Sequence, residues 1–147
     1  MNEMRHSALK GMRWLVLTCV VLLGGQVAAS AQTARVGREF NLKVGRVVTL
    51  DGGGLRVRLA RVVSDSRCPV DVNCVWAGNA EVLVEVGGRG WRKRRTLRLN
   101  TNASPARPDE GRYGRYTLKL VGLAPQTRST GKIATGRYTA TLLVSTE

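Results

Sequence analysis

Leu55-Arg-Val-Arg-Leu59 sets an apolar residue at every second position with a guanidinium between each pair. A side-chain period of two belongs to a strand with one face in a core and the other in water; on a helix these residues would scatter around the axis. The same period recurs along the chain. Phe40, Leu42 and Val44 alternate with Asn41 and Lys43, and Val82, Val84 and Val86 with Leu83 and Glu85. Further on, Tyr116, Leu118 and Leu120 alternate with Thr117 and Lys119, and Tyr138, Ala140, Leu142 and Val144 with Thr139 and Thr141. With residues 46–50 and 92–99, about seven strands are predicted. Glycine-rich breaks at 52–54, 87–90 and 104–111 separate them. The fold class implied is all-β, a single antiparallel β-sandwich of immunoglobulin-like type, with a small β-barrel as the alternative.

One hairpin is awkward on this reading. A four-residue loop at 87–90 would set Val86 opposite Trp91, Glu85 opposite Arg92 and Leu83 opposite Arg94. The inner face would then put Val84 against Lys93 and Val82 against Arg95. Burying two cations on valine is costly, so either these side chains snorkel at the sheet edge or a bulge changes the register.

Composition narrows the chemistry. The 147 residues carry 24 Lys+Arg against 10 Asp+Glu, a formal net charge of +14, with 43% hydrophobic and 23% charged residues. That is a folding composition and not a disordered basic tail. His6 is the lone histidine. It falls within a segment expected to be removed: Arg5, Lys10 and Arg13 precede the apolar run 14–23, and Ala29 and Ala31 form an A-x-A site before Gln32. A run of ten rises only about 15 Å as a helix, too short to span a bilayer. Residues 1–31 are therefore expected to be a cleaved secretory signal and 32–147 a single β-sandwich domain, at about +12. Such a chain has no imidazole for a Ser-His-Asp triad, a Cys-His pair or an H-E-x-x-H zinc site. No second apolar stretch approaches 18 residues, so no transmembrane segment is expected in the mature chain, which is placed in the periplasm or outside the cell.

Cys68 and Cys74 remain beyond the signal, spaced C-x5-C. In an oxidising compartment a nearby pair reads as a disulfide. Two thiolates without histidine make a poor zinc site, and no metal or cofactor is expected. The surrounding loop, 64–78, also holds Asp65, Arg67 and Trp76. Asp65 is suited to accept backbone N–H bonds in an Asx-type turn or to pair with Arg67, and Trp76 to cover the disulfide.

The pattern D-S-R-C-P-x4-C-V-W-A-G, residues 65–78 here, resembles the signature of a group of small secreted or lipid-anchored bacterial proteins of uncharacterised function. The similarity extends to residues 118–125 and 138–142, hence over most of the mature chain. It implies a β-sandwich in the bacterial envelope and no particular activity.

Two readings of the loop follow: a rigid corner that closes the sandwich, or a scaffold that presents Asp65, Arg67 and Trp76 as a recognition surface. A second candidate is a cationic face made by residues 89–95, Arg98, Arg56 and Arg58, with Arg92, Arg94 and Arg98 as binding residues for an anionic envelope component, partly neutralised by Glu81 and Glu85. Specific nucleic-acid recognition is not expected, since few aromatics are free of the core and no such motif is present. The expected function is a non-enzymatic binding module for an anionic or protein partner. The alternatives are an inhibitor that inserts the disulfide loop into an envelope enzyme, and a carboxylate-based hydrolase without histidine.

Overall fold

The computed structural model describes residues 32–147; the expected signal segment lies outside the described residues. Two sheets face each other. The first has the order β1 (Gln32–Thr33), β3 (Val47–Leu50), β4 (Leu55–Asp65), β5 (Ala80–Gly88), β6 (Arg95–Asn100). The second has the order β2 (Glu39–Lys43), β9 (Thr139–Thr146), β8 (Tyr116–Ala124), β7 (Glu110–Tyr113). Every pairing is antiparallel except the short one between β1 and β3. This is a β-sandwich; neither sheet closes into the barrel held open as the alternative.

The alternating residues read from the sequence are the ones that fill the interior. Leu55, Val57 and Leu59, Val82, Val84 and Val86, and Ala140, Leu142 and Val144 are almost wholly buried, with Leu42, Leu118, Leu120 and Tyr138 beside them. Two strands escaped the alternation. β1 has only two residues, and β7 is Glu-Gly-Arg-Tyr, with no period to read. Gly111 of β7 lies where a Cβ would come within 3.1 Å of Leu97 on β6. Its missing side chain lets the edges of the two sheets approach.

Bulges adjust which face each side chain meets. In β4 the register slips once between Leu59 and Arg61 and again between Val62 and Ser64. Each slip reverses the inward-outward alternation. Arg61 and Val63, inward by simple continuation from Leu59, are turned to solvent, and Val62 takes the inner place. The second slip restores the original parity, so Asp65, opposite Ala80, points toward the interior at the end of the strand. In β8 a single bulge leaves Val121 exposed and brings Leu123 into the core.

The β5–β6 hairpin departs from the predicted register. Val86 pairs with Arg95, Val84 with Leu97 and Val82 with Leu99. Instead of a snorkel or a bulge, the connection is longer. Gly87 and Gly88 continue β5 against Arg56 and Leu55, a 3-10 turn covers Arg89–Trp91, and Arg92, Lys93 and Arg94 stay outside the strand. Leucines therefore meet the valines and the cations remain in water, which removes the desolvation cost of the shorter loop. Trp91 folds over Gly87, where a Cβ would lie 3.0 Å from its ring.

Candidate functional site

The connections fall at two ends of the sandwich. Residues 66–79, 101–109 and 125–138 form the loop end; residues 51–54, 89–94 and 114–115 form the hairpin end. At the loop end, the β4–β5 ladder continues past the strands through Ser66 N–H to Asn79 O at 2.8 Å and Cys68 N–H to Ala77 O at 2.9 Å. Cys68 and Cys74 form the expected disulfide, with Cα atoms 5.9 Å apart. Gly78 adopts φ +70, and a Cβ there would fall 1.9 Å from Ser66 O. Glycine is thus required by both conformation and space at this position.

Asp65 and Arg67 are consumed by each other and by the fold. Arg67 Nε and Nη2 donate to the two carboxylate oxygens of Asp65 at 2.8 and 2.7 Å, and the Arg67 backbone N–H donates to Asp65 Oδ1 at 3.2 Å. Both arrangements expected of Asp65, the turn and the ion pair, therefore occur together. The remaining guanidinium donors reach the carbonyls of Leu123 and, at 2.9 Å, Pro125, which binds the loop to the end of β8. Tyr138 donates its hydroxyl to Asp65 Oδ2 at 3.1 Å. The side chains of Arg67 and Asp65 are only 10% and 7% exposed. Burial pushes the Asp65 carboxyl upward, but the Arg67 bonds and charge and the Tyr138 hydroxyl outweigh it, and the carboxyl titrates below its ordinary range. Burial, together with the bond to Asp65, raises the Tyr138 phenol.

Trp76 stands elsewhere. It is 82% exposed and does not cover the disulfide or close the core, contrary to the expectation. Val75 is 89% exposed beside it, and Val70 and Val72 are exposed in the same loop, so that its tip carries four exposed apolar side chains. The tip is tied down at several points: Val70 N–H donates to Thr127 O at 3.0 Å, Thr127 Oγ1 donates to Arg67 O at 3.1 Å, and Ser129 gives both its N–H and its Oγ–H to Asp71. The Ser129 bonds, side chain first, hold the Asp71 carboxyl below its usual range.

Behind the loop lies a polar network that alternation did not reveal. Asn100, 1% exposed, accepts from Asn79 Nδ2 at 2.8 Å and donates to Pro108 O at 3.2 Å. Asn79 Oδ1 in turn accepts the Asn102 N–H at 3.0 Å. Among the described residues no buried side-chain polar atom lacks a partner. Asn79 follows Gly78 and Asn100 ends an apolar strand, and those positions were the only sequence signal.

The cationic face is divided. Arg58 and Arg98 pair with Glu85 and Glu81 of the strand between them, so much of the sheet surface is neutralised. Arg92 and Arg94 sit instead in the hairpin-end loop with Arg89 and Lys93, next to Arg95 at the start of β6, all exposed and without an ion-pair carboxylate among the described residues. Arg98 is therefore separated in role from Arg92 and Arg94. At the same end Asp51 accepts from Tyr116 and from Arg115 Nη2, which lower its carboxyl in that order.

The carboxylates are dispersed among separate partners: Asp51 with Arg115, Asp65 with Arg67, Asp71 with Ser129 and Asp109 with Lys119. No group of three or more His, Cys, Asp or Glu is suited to a metal ion among the described residues, and no helix there is long and apolar enough to cross a membrane. Comparison with protein-family models, curated proteins and solved structures finds no match for this chain in any of the three.

Proposed function

We propose that the chain is an exported, non-catalytic binding module that docks on a protein partner through the apolar tip of its disulfide loop. The observation that carries this reading is the exposure of Trp76 and Val75, with Val70 and Val72, on a segment whose stem is fixed by a disulfide and a buried ion pair. Tryptophan is prominent among residues that dominate protein interfaces, and a loop already held in shape loses little freedom on binding. A concave apolar cleft on another protein is the matching surface, which covers both an adaptor and an inhibitor of an envelope enzyme. Asp71 and Asn73 within the same tip disfavour insertion into lipid. The likeness of residues 65–78 to the envelope-protein group described above belongs to this proposal, as does the periplasmic or secreted location that a disulfide suits.

The test is crosslinking and pulldown from intact envelopes with Trp76→Ala. A protein captured by the parent chain should be lost at least tenfold, while folding stability changes by no more than about 0.5 kcal/mol. Undiminished capture would refute the docking role, and Trp76-dependent binding to protein-free anionic vesicles would replace it with membrane insertion.

A second reading has its own support. The five unpaired cations at 89–95 form a surface for an anionic polymer or lipid headgroup at the hairpin end. Heparin binding that is absent, or unchanged between low and high salt, removes it.

A further inference from the structure

The segment 125–137, between β8 and β9, encloses a depression of about 340 Å³ on the flank of the docking loop. Arg128, Lys132 and Arg137 line it together with Gln126, Thr130 and Ile133. No carboxylate contributes to the lining, and none of the three cations has an ion-pair partner among the described residues. Arg58, Arg67, Arg98, Arg112, Arg115 and Lys119 are paired with carboxylates, whereas these three, like the cations at 89–95, are not, and among the described residues only these three converge on a depression beside a fixed apolar side chain. Asp71, the carboxylate that Arg128 senses, lines the neighbouring depression with Val70, Val72 and Asn73 and is already bound by Ser129.

The rim is held in shape by backbone. Arg128 and Gly131 bridge in antiparallel fashion across a turn, and Arg137 N–H donates to Ala134 O at 2.9 Å. Ile133 is partly buried against the hydrophobic core, so the lining includes a fixed apolar side chain. Two guanidinium forks and an ammonium around an apolar wall suit an oxyanion carried on a short hydrocarbon stem.

The geometry points to a carboxylate-binding subsite in this depression, which receives an acidic side chain or chain terminus of the protein that docks on the loop. The source of the ligand rests on the docking proposal, whereas the chemistry of the subsite does not. Loop and depression share the anchors Val70–Thr127 and Asp71–Ser129, so one partner can engage both.

The experiment is a titration of the isotope-labelled protein at low salt, read by backbone amide shifts. Three peptides serve as probes: acetyl-Ala-Leu-Glu-amide, acetyl-Ala-Ala-Leu with a free carboxyl terminus, and the neutral acetyl-Ala-Leu-Gln-amide. Saturable shifts confined to 125–137 are expected with one or both acidic peptides and absent with the neutral one, and the responding peptide identifies side chain or terminus. The R128Q/K132Q/R137Q variant, altered only at exposed positions, should weaken binding at least tenfold, and Lys132→Glu alone should do the same. Trp76→Ala should leave these shifts intact, so loss of partner capture by Trp76→Ala and loss of peptide shifts report separately on docking and on the subsite. No saturable shift, shifts that persist in the triple variant, shifts centred on 89–95, or an equal response to inorganic phosphate would each overturn the assignment.

Discussion

Replacing Arg67 by Met tests the physical account of the loop most directly. The substitution keeps much of the side chain's apolar volume but removes two bonds to Asp65 and those to the carbonyls of Leu123 and Pro125. The Asp65 carboxylate, 7% exposed, is left with only the Tyr138 hydroxyl and the backbone N–H of residue 67. Breaking one side of a buried pair costs about 3 to 5 kcal/mol, chiefly because the surviving charge stays desolvated. That is a large share of the 5 to 15 kcal/mol that holds a typical domain. Urea unfolding at pH 7, followed by circular dichroism, measures it. In D65L/R67M no charge is stranded, and the expected loss falls to about 1 to 3 kcal/mol from carbonyls and a hydroxyl deprived of partners.

The same experiment has a signed pH dependence. In the parent protein the folded-state carboxyl of Asp65 titrates below its unfolded value, so its contribution is complete above about pH 4 and is lost as pH falls through the lowered value. Without Arg67, burial dominates and the carboxyl rises, so protonation relieves the variant. The stability gap between parent and Arg67→Met should therefore be widest near neutrality and narrow toward pH 3. A cost under about 1 kcal/mol, with a gap independent of pH, would refute the reasoning and place the pair among ordinary surface ion pairs.

Three further perturbations follow from the same end of the molecule. Gly78→Ala forces an L side chain at φ +70 into Ser66 O, and strain alone should cost about 1 to 3 kcal/mol in thermal unfolding. The C68S/C74S double variant opens a short loop and should lose about 2 to 2.5 kcal/mol on the chain-entropy model, seen as a lower urea midpoint with the fold retained. Asn100→Leu leaves Asn79 Nδ2 without its acceptor and Pro108 O with only the backbone N–H of residue 100, and should cost about 1 to 3 kcal/mol, with amide exchange accelerated in 101–108 before the core strands.

The sandwich was legible because burial on one face of a strand writes a period of two directly into the chain, and Leu55, Val57 and Leu59 display it without interruption. The Cys68–Cys74 bridge was legible for a similarly local reason, since six positions of separation leave few alternatives in an oxidising setting. Register was another matter. Nothing local says that Gly87 and Gly88 extend β5 or that Trp91 folds onto Gly87; the cost of burying cations on valine ruled out the short loop, but the longer connection that pairs Val84 with Leu97 appears only in the folded hairpin.

The loop divides along the same line. Its sequence offered Asp65 a turn or an ion pair with Arg67, two residues on, because both are short-range events. The tertiary structure decided that they meet in the interior, because the two bulges of β4 cancel and leave Asp65 on the inward parity of Leu59, and the end of β8 supplies carbonyls that only a folded chain brings there. It likewise decided that Trp76 faces solvent. An exposed tryptophan and a buried one have the same letter, and only the packing of the whole sandwich determines whether the core has room for it.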